Sequence, residues 1–469
     1  MSSLTAASLT AAAERRQRSR ARGVSGEGSE SILERHRSSI ERKGYVVAID
    51  IGTAFSGYAM SSSRDIFAIY ALRAEDPFRW GVCGVETKIP TVLLLRPDGT
   101  FHSFGQDALT HYKDLEEDEQ KKWYFFERFR KKWYWYPFFE RFKMNLSKLI
   151  AADNGRLFPV GTVFAHVFRY FRDKAIEEYN LFSTTDLTQD DVKWVIAVPA
   201  MWSDVARQMM REAAYEAGLA SEAEPDNVQI ALEPESASLY CESLQYHENA
   251  NDADRFVSSV FQARKRYLLA DLGGETTDVA VYEVFGCGLM KELYCSVDGA
   301  RGGTYVNKNY VKLLEQIFGK DVIDEYRATY PGDWVYAISK YFRGALILNH
   351  PEVAKLFDPV LTNISDHLKR VFAMFDSIDC LILVGGFAEC RLLQLFLRRE
   401  FEEAGGVQVI VPRQCSLAVA KGAVLLGHWQ TLAGVSTFAL SKSSFKKDFT
   451  DLSRRSEETA LALAQKKKN

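Results

Sequence analysis

The sequence predicts a mixed α/β fold built as two related lobes, and three observations predict it. The first is VVAIDIGTAFSGYA, Val46 to Ala59. An apolar run carrying Asp50 is followed by Gly52, Thr53, Ala54, Phe55, Ser56 and Gly57, and then a second apolar run, which reads as strand, tight turn, strand. The second is a copy half a chain later: YLLADLGGETTDVAVYEV, Tyr267 to Val284, with Asp271 ahead of a turn of Gly273, Gly274, Glu275, Thr276 and Thr277, then Asp278. The third is the alternation of buried strands with crossover helices between and after these hairpins, the mark of a layered α/β fold. Taken alone, either hairpin is equally well an ordinary β-hairpin. As a pair they present two Gly/Thr turns whose N–H groups and hydroxyls can hold an anion. The carboxylate ending each first strand can hold hydrated Mg²⁺, which favours oxygen ligands and keeps its waters.

The elements follow in order. Met1 to Lys43 is rich in Ser, Ala, Arg and Gly and nearly free of aromatics, so a disordered tail is expected. Lobe I is assigned to 44–250. After the first hairpin, Thr91 to Leu95 and Thr100 to Phe104 flank Arg-Pro-Asp-Gly as strand, turn, strand. Lys121 to Lys143 reads KKWYFFERFRKKWYWYPFFERFK, a near tandem repeat dense in Trp, Tyr and Phe. Two readings stand. One is a duplication with a supernumerary copy, the second copy being the better native candidate because Lys-Met-Asn-Leu follows it. The other is an aromatic and basic surface for partners or headgroups. Apolar residues at 163, 164, 167, 168 and 171 predict a helix over Gly161 to Tyr179. Val192 to Val198 is a buried strand. Ser203 caps a helix running to Ala217, stopped by Gly218. Val228 to Leu232 is a strand closing on Glu233-Pro234, and a helix follows.

His247 to Asp254 is the polar boundary, and lobe II is assigned to 251–430. Its second hairpin leads to a strand near Leu289 to Val297, the turn DGARGGT with Gly302 and Gly303, and a largely helical stretch from Tyr305 to Phe375. Leu381 to Val384 is a strand, Gly385-Gly386 a turn, and a helix is expected from Glu389. Val407 to Val411 and Leu417 to Leu426 finish this lobe as strand and helix. The remainder, 431–469, is a polar, lysine-rich tail.

Composition narrows the function. At 469 residues, 47% hydrophobic and 26% charged, the chain can bury a large core, and length alone suggests roughly two to four domains or subdomains. A net charge of −3 offers no global basic field for nucleic acid. Seven scattered cysteines without a CxxC pair suit reduced thiols in the cytoplasm rather than a disulfide framework or a zinc site. No apolar run is long enough for a transmembrane helix, and the N-terminus lacks the apolar core of a secretory signal. A monomer is expected.

The two hairpins resemble phosphate loops of the superfamily that unites actin, the sugar kinases and the heat-shock protein 70 chaperones. VIAVPAMWSDVARQMMREAAYEAGL (Val195 to Leu219), IALEPESASLY, LILVGGFAECRLLQ and LAVAKGAVLLG are similar to the heat-shock protein 70 chaperones. Gly57-Tyr58-Ala59, FERFKMNL (Phe139 to Leu146) and the GGFAE wording most resemble the divergent protein 12 branch of that heat-shock family. The resemblance runs from Tyr45 to Gly427. It implies a two-lobed actin-like ATPase fold of duplicated ribonuclease H-like domains around a central nucleotide cleft.

The resemblance also implies ATP/ADP and Mg²⁺ as cofactors and protein clients as partners. Gly52, Thr53, Ala54, Gly273, Gly274, Glu275 and Thr276 would line the phosphates, with Gly302, Gly303, Gly385 and Gly386 completing the nucleotide site. Asp50, Asp271 and Asp278 would anchor Mg²⁺ through its waters. Glu233 and Lys143 resemble the residues that position water and stabilise charge, and Asp271 and Thr276 join them in the catalytic set. Two departures stand out. Ala54 replaces a second Thr of many chaperones, and Glu275 replaces the third glycine of the second loop. A carboxylate there repels a triphosphate by on the order of 1–4 kcal/mol at ~4 Å. Compared with the chaperones, the stretch from Arg343 to Pro351 is short where the adenosine is cradled, and the C-terminal tail is too short for their peptide-binding domain. The expected function is therefore an ATP-binding, chaperone-like protein with slow hydrolysis. The alternatives are a nucleotide-sensing or nucleotide-dead adaptor and, more remotely, a small-metabolite kinase.

Overall fold

A computed structural model describes residues 43–72, 88–129, 149–221, 223–244, 260–262, 264–284, 290–299, 302–330, 332–334 and 354–433. The chain divides into a unit Met1–Gly44 and a unit Tyr45–Asn469. Only Lys43 and Gly44 of the first are described, so the expected disorder of the N-terminal tail lies outside the described residues. The polar break 247–254, the short stretch 343–351 and residues 434–469 of the expected C-terminal tail lie there too.

The second unit holds two sheets of the same design. β1 (Tyr45–Ile51), β2 (Phe55–Ser62) and β3 (Asp65–Ala71) form an antiparallel meander, and β4 (Ile89–Pro90) pairs with the start of β2. A smaller sheet runs β6-β5-β7, from β5 (Val92–Leu95), β6 (Phe101–Phe104) and β7 (Tyr124–Glu127), with helix α1 (Gln106–Asp114) between β6 and β7. β7 is the first copy of the aromatic repeat. Phe125 and Phe126 bury completely, so the first copy is folded into this sheet. The second copy and Lys143 lie outside the described residues.

β8 (Leu149–Ala151) and β9 (Leu157–Pro159) pair as a short ribbon leading into α2 (Val160–Phe182). The apolar stripe of α2, including Val163, Phe164, Phe168 and Phe171, buries against the first sheet. β10 (Val192–Val198) runs parallel to β1. α3 (Asp204–Glu216) starts at Ser203, whose hydroxyl accepts from the Ala206 N–H at 3.3 Å, and Gly218 follows it at φ 78°. β11 (Val228–Leu232) runs parallel to β10, and α4 (Glu233–Ser243) follows with Pro234 in its first turn. The first sheet is therefore ordered β11-β10-β1-β2-β3.

The second sheet repeats this order as β16-β15-β12-β13-β14. β12 (Arg266–Leu272), β13 (Thr276–Val284) and β14 (Met290–Gly299) form the antiparallel meander. Helices α5 (Thr304–Phe318), α6 (Lys320–Thr329) and α7 (Asp358–Phe372) intervene before β15 (Cys380–Val384), which is parallel to β12. The helix expected from Glu389 starts later: a 3-10 turn takes Gly386–Glu389, and α8 spans Arg391–Leu397. β16 (Gln408–Ile410) pairs in parallel with β15, and α9 (Ala418–Ala433) ends the described chain.

One placement departs from expectation. α9, read as the finish of lobe II, buries Ala420, Ala423, Val424 and Leu426 against Val46, Ala48, Ala59 and Val195 of the first sheet. α4 does the converse: Ala237, Tyr240 and Cys241 pack with Tyr267, Leu269 and Ile382 of the second. The two helices cross where a Cβ at Gly422 would lie 1.6 Å from the Ser236 carbonyl oxygen. The five described cysteines are free thiols. Among the described residues no helix is long and apolar enough to cross a membrane.

Candidate functional site

Parallel strands of each sheet deliver their carboxyl ends to one side, where α/β sheets hold ligands. Asp50 is the second-last residue of β1, Asp271 the second-last of β12, and Glu233 opens α4 directly after β11. Asp50 and Glu233 are only 4% and 5% exposed. Both hairpins close as the sequence predicts. In the first, Ile51 pairs with Ser56, Gly52 to Ala54 form the turn before β2, and a Cβ on Gly52 would lie 2.3 Å from the Phe55 carbonyl oxygen. Thr91 braces this turn: its hydroxyl donates to Gly52 O at 2.8 Å and meets Ser56 Oγ at 2.7 Å, while its N–H donates to Ala54 O at 2.9 Å. In the second, Leu272 pairs with Thr277 and Gly273 N–H donates to Thr276 O at 3.1 Å.

The hairpin tips meet. A Cβ on Gly274 would come within 2.5 Å of Ala54 Cβ, so the position where Ala54 lacks a hydroxyl is also where the two turns touch. Gly302 and Gly303 lie directly on the second turn. The N–H groups of Gly302, Gly303 and Thr304 donate to the carbonyls of Glu275, Gly273 and Gly274 at 3.2, 3.1 and 2.7 Å. Those glycines therefore build the second turn from behind, with their donors committed to it. Gly385, at φ 92°, passes so close to Asp271 that a Cβ would lie 2.3 Å from Oδ1, whereas a Cβ on Gly386 would meet open space. Thr304 turns its methyl carbon toward Gly274, and its hydroxyl is buried without a hydrogen-bond partner among the described residues. Open space at Gly386 fits a ligand lying along these turns.

Two cationic features were not legible in the motifs. Lys88 donates to Asp50 Oδ2 at 2.6 Å. Burial pulls its pKa down, but the charge of Asp50 and the hydrogen bond to it, with Asp271 and Glu233 beyond, outweigh this and hold it above the ordinary lysine value. The pairing that brings it there is non-local: β2 lies against both β1 and β4, Gly57 opposite Asp50 and Ser56 opposite Ile89. The other feature surrounds Glu275, which is 3% exposed. Its oxygens lie 3.5 Å from an Arg128 guanidinium nitrogen and 3.7 Å from Lys308 Nζ. Arg128 follows β7 at φ 51°, and Lys308 lies on α5 over the Tyr305 ring. Asp278 faces its register partner Asp271 across β12 and β13. Among the described residues, no three His, Cys, Asp or Glu side chains are grouped to hold a metal ion directly. Mg²⁺ would have to be held through its waters, as the carboxylate pattern implies.

No family model matches the chain. It is 32% identical to the heat shock 70 kDa protein 12B of Homo sapiens, over 82% of this chain and 68% of that protein. It is 31% identical to the heat shock 70 kDa protein 12A of Mus musculus, over 81% of this chain and 69% of that protein. A more distant likeness, 25% identity over 60% of this chain and 42% of the relative, is to a chaperone protein HscA homolog of Rickettsia bellii. Twin sheets of one order, two hairpins meeting at their tips and identity across four-fifths of the sequence lead to one assignment: the chain belongs to the heat-shock 70 kDa family, in its heat-shock 70 kDa protein 12 branch, and has that family's two-lobed actin-like ATPase fold.

Proposed function

We propose that the gap between the two hairpins binds ATP and ADP, and that the bound nucleotide sets the relation of the two lobes in a chaperone-like protein. The observation that carries this reading is the contact of Ala54 with Gly274, with Asp50 paired to Lys88 behind the first turn. Two turns that donate N–H groups and hydroxyls from opposite sides are what a triphosphate needs in order to be held still. Gly52, Thr53, Gly273, Gly274 and Thr276 hold the phosphates in this reading, and Gly386 leaves room for the nucleoside. Mg²⁺, when bound through water to Asp50, Asp271 and Asp278, supplies charge neutralisation. Glu233 orients the attacking water, with Lys143 as the charge-stabilising partner. A ligand that grips both turns binds the closed arrangement more tightly than an open one, so it shifts the population toward closure.

The presence of Glu275 favours a second reading, in which nucleotide is sensed without meaningful turnover. Its carboxylate stands where backbone alone would otherwise approach phosphate, and it draws Arg128 and Lys308 to itself. Calorimetry with Mg-ATP on the full chain tests binding. Asp271→Asn is expected to weaken it by about tenfold, or ~1.4 kcal/mol, and no heat of binding for the unmutated protein rejects both readings. Phosphate release by the same preparation, compared with Asp271→Asn, then separates them: release that the substitution abolishes means hydrolysis, and equal background means an adaptor.

A further inference from the structure

Lys88 lies in neither hairpin, yet its ammonium sits at the acidic end of the gap. Its Nζ is 2.6 Å from Asp50 Oδ2, with the two side chains 16% and 5% exposed. Asp271 from the opposite hairpin and Glu233 from the first turn of α4 act on the same ammonium through their charge. The ammonium therefore neutralises Asp50 near the end of β1, within the field of one carboxylate on β12 and one that follows β11. β4 presents the ammonium, since Ser56 pairs with Ile89 and Gly57 with Asp50.

We propose that Lys88 is the resident cation of this site: its ammonium takes the Asp50 oxygen that a divalent ion would take, so the cleft holds no metal of its own and a divalent ion enters only on the phosphates of a nucleotide. The last clause rests on the nucleotide reading above; the first stands without it. Lys88 is a charge-positioning residue, acting through Asp50 and its neighbours. Removing the ammonium takes from Asp50 the cation it is paired with, and a hydrated divalent ion is a species that replaces it.

The test is Mn²⁺ titration of the full chain without nucleotide, followed by the loss of the free-ion electron paramagnetic resonance signal. Lys88→Met is expected to bind Mn²⁺ at least about tenfold more tightly than the unmutated protein, a gain of ~1.4 kcal/mol. Lys88→Arg, which keeps the charge, is expected to match the unmutated protein, and adding Asp50→Asn to Lys88→Met is expected to abolish the gain. Equal Mn²⁺ affinity for the unmutated protein and Lys88→Met overturns the proposal. Should Lys88→Met fail to fold, the unmutated protein and Asp50→Asn decide. Mn²⁺ binding by the unmutated protein that Asp50→Asn removes overturns it, and the absence of such binding supports it. Mg-ATP calorimetry on the same samples keeps the two ideas apart. Loss of nucleotide binding strikes only the last clause, whereas a resident metal strikes the first.

Discussion

At Glu275, a buried carboxylate in the second turn holds two cations, and in the proposed nucleotide site it also faces phosphate. Arg128 and Lys308 are 27% and 40% exposed against 3% for Glu275, so water reaches the cations far more readily than the acid. Replacing Glu275 by Gly removes the repulsion and leaves both cations able to turn to phosphate. Mg-ATP affinity of Glu275→Gly is expected to rise about tenfold at low salt and to rise less at high salt, because partly exposed charges are screened over a Debye length of about 8–10 Å. Calorimetry at two ionic strengths checks this, and unchanged affinity at both rules out repulsion. The hairpins around this residue were legible because Asp, Gly and Thr fall within a few residues of one another. Lys88 was not, because it is 38 residues from Asp50 and a two-residue strand brings it there without any periodic signal. Arg128 was hidden for a related reason: the aromatic repeat offered two copies, and Lys-Met-Asn-Leu drew attention to the second while β5 pairs with the first.

Among the elements, α9 carries the tightest constraint. Gly422 lies on the backbone of α4, where a Cβ would be 1.6 Å from Ser236 O, and a Cβ on Gly427 would be 2.5 Å from a Val46 methyl. No rotamer change relieves a clash with backbone, so the helices must separate. Gly422→Ala is expected to cost at least about 3 kcal/mol, the upper end for overpacking, read as a lower urea midpoint. A midpoint unchanged from the unmutated protein means that the crossing is looser than this. The same helix buries His428, 3% exposed, with Nε2 2.9 Å from Ser61 Oγ. Burial and, after it, the Lys193 charge push its pKa down to about 3, and burial pulls Lys193 itself down to about 8. The folded form therefore resists a proton that the unfolded chain accepts near 6.5. Its contribution to stability is complete above that value and is lost as pH falls from there toward 3, by about 1.4 kcal/mol per pH unit. His428→Gln is expected to flatten the fall in urea midpoint between pH 7 and pH 5, and an unchanged slope would show that His428 is not the responsible group. The amphipathic period of α2 announced its partner face, but nothing in the apolar run of α9 said which sheet it would cover. Sequence order pointed to the second sheet; Ala418 and Val419 do pack there, while Ala420, Ala423, Val424 and Leu426 lie on the first.

Across the whole molecule, the two sheets are joined in two physically different ways. Below, α4 and α9 interlock by backbone contact at Ser236 and Gly422. Above, the contacts are smaller and mixed: Ala54 on Gly274, Gly332 against the Lys113 backbone, Arg128 with Glu275, and Lys113 Nζ with Asp333 Oδ1 at 3.8 Å. Partly exposed ion pairs are each worth only ~0–1 kcal/mol, so the ion pairs there add little beside an interlocked helix crossing. Motion between the lobes should therefore pivot at the crossing and open at the hairpins, as hinge closure around a ligand requires. Hydrogen exchange separates this from a general tightening. Mg-ATP is expected to slow exchange at the two turns, Gly52 to Ala54 and Gly273 to Thr276, and at the rim near Lys113 and Asp333. Amides of α4 and α9 around Ser236 and Gly422 should be unaffected. Uniform slowing across β10, β15 and the crossing would mean that nucleotide only stabilises the fold. Slowing confined to the two turns, with none at the rim, would mean that the ligand is held without closing the lobes, leaving a nucleotide sensor whose signal must leave by another face.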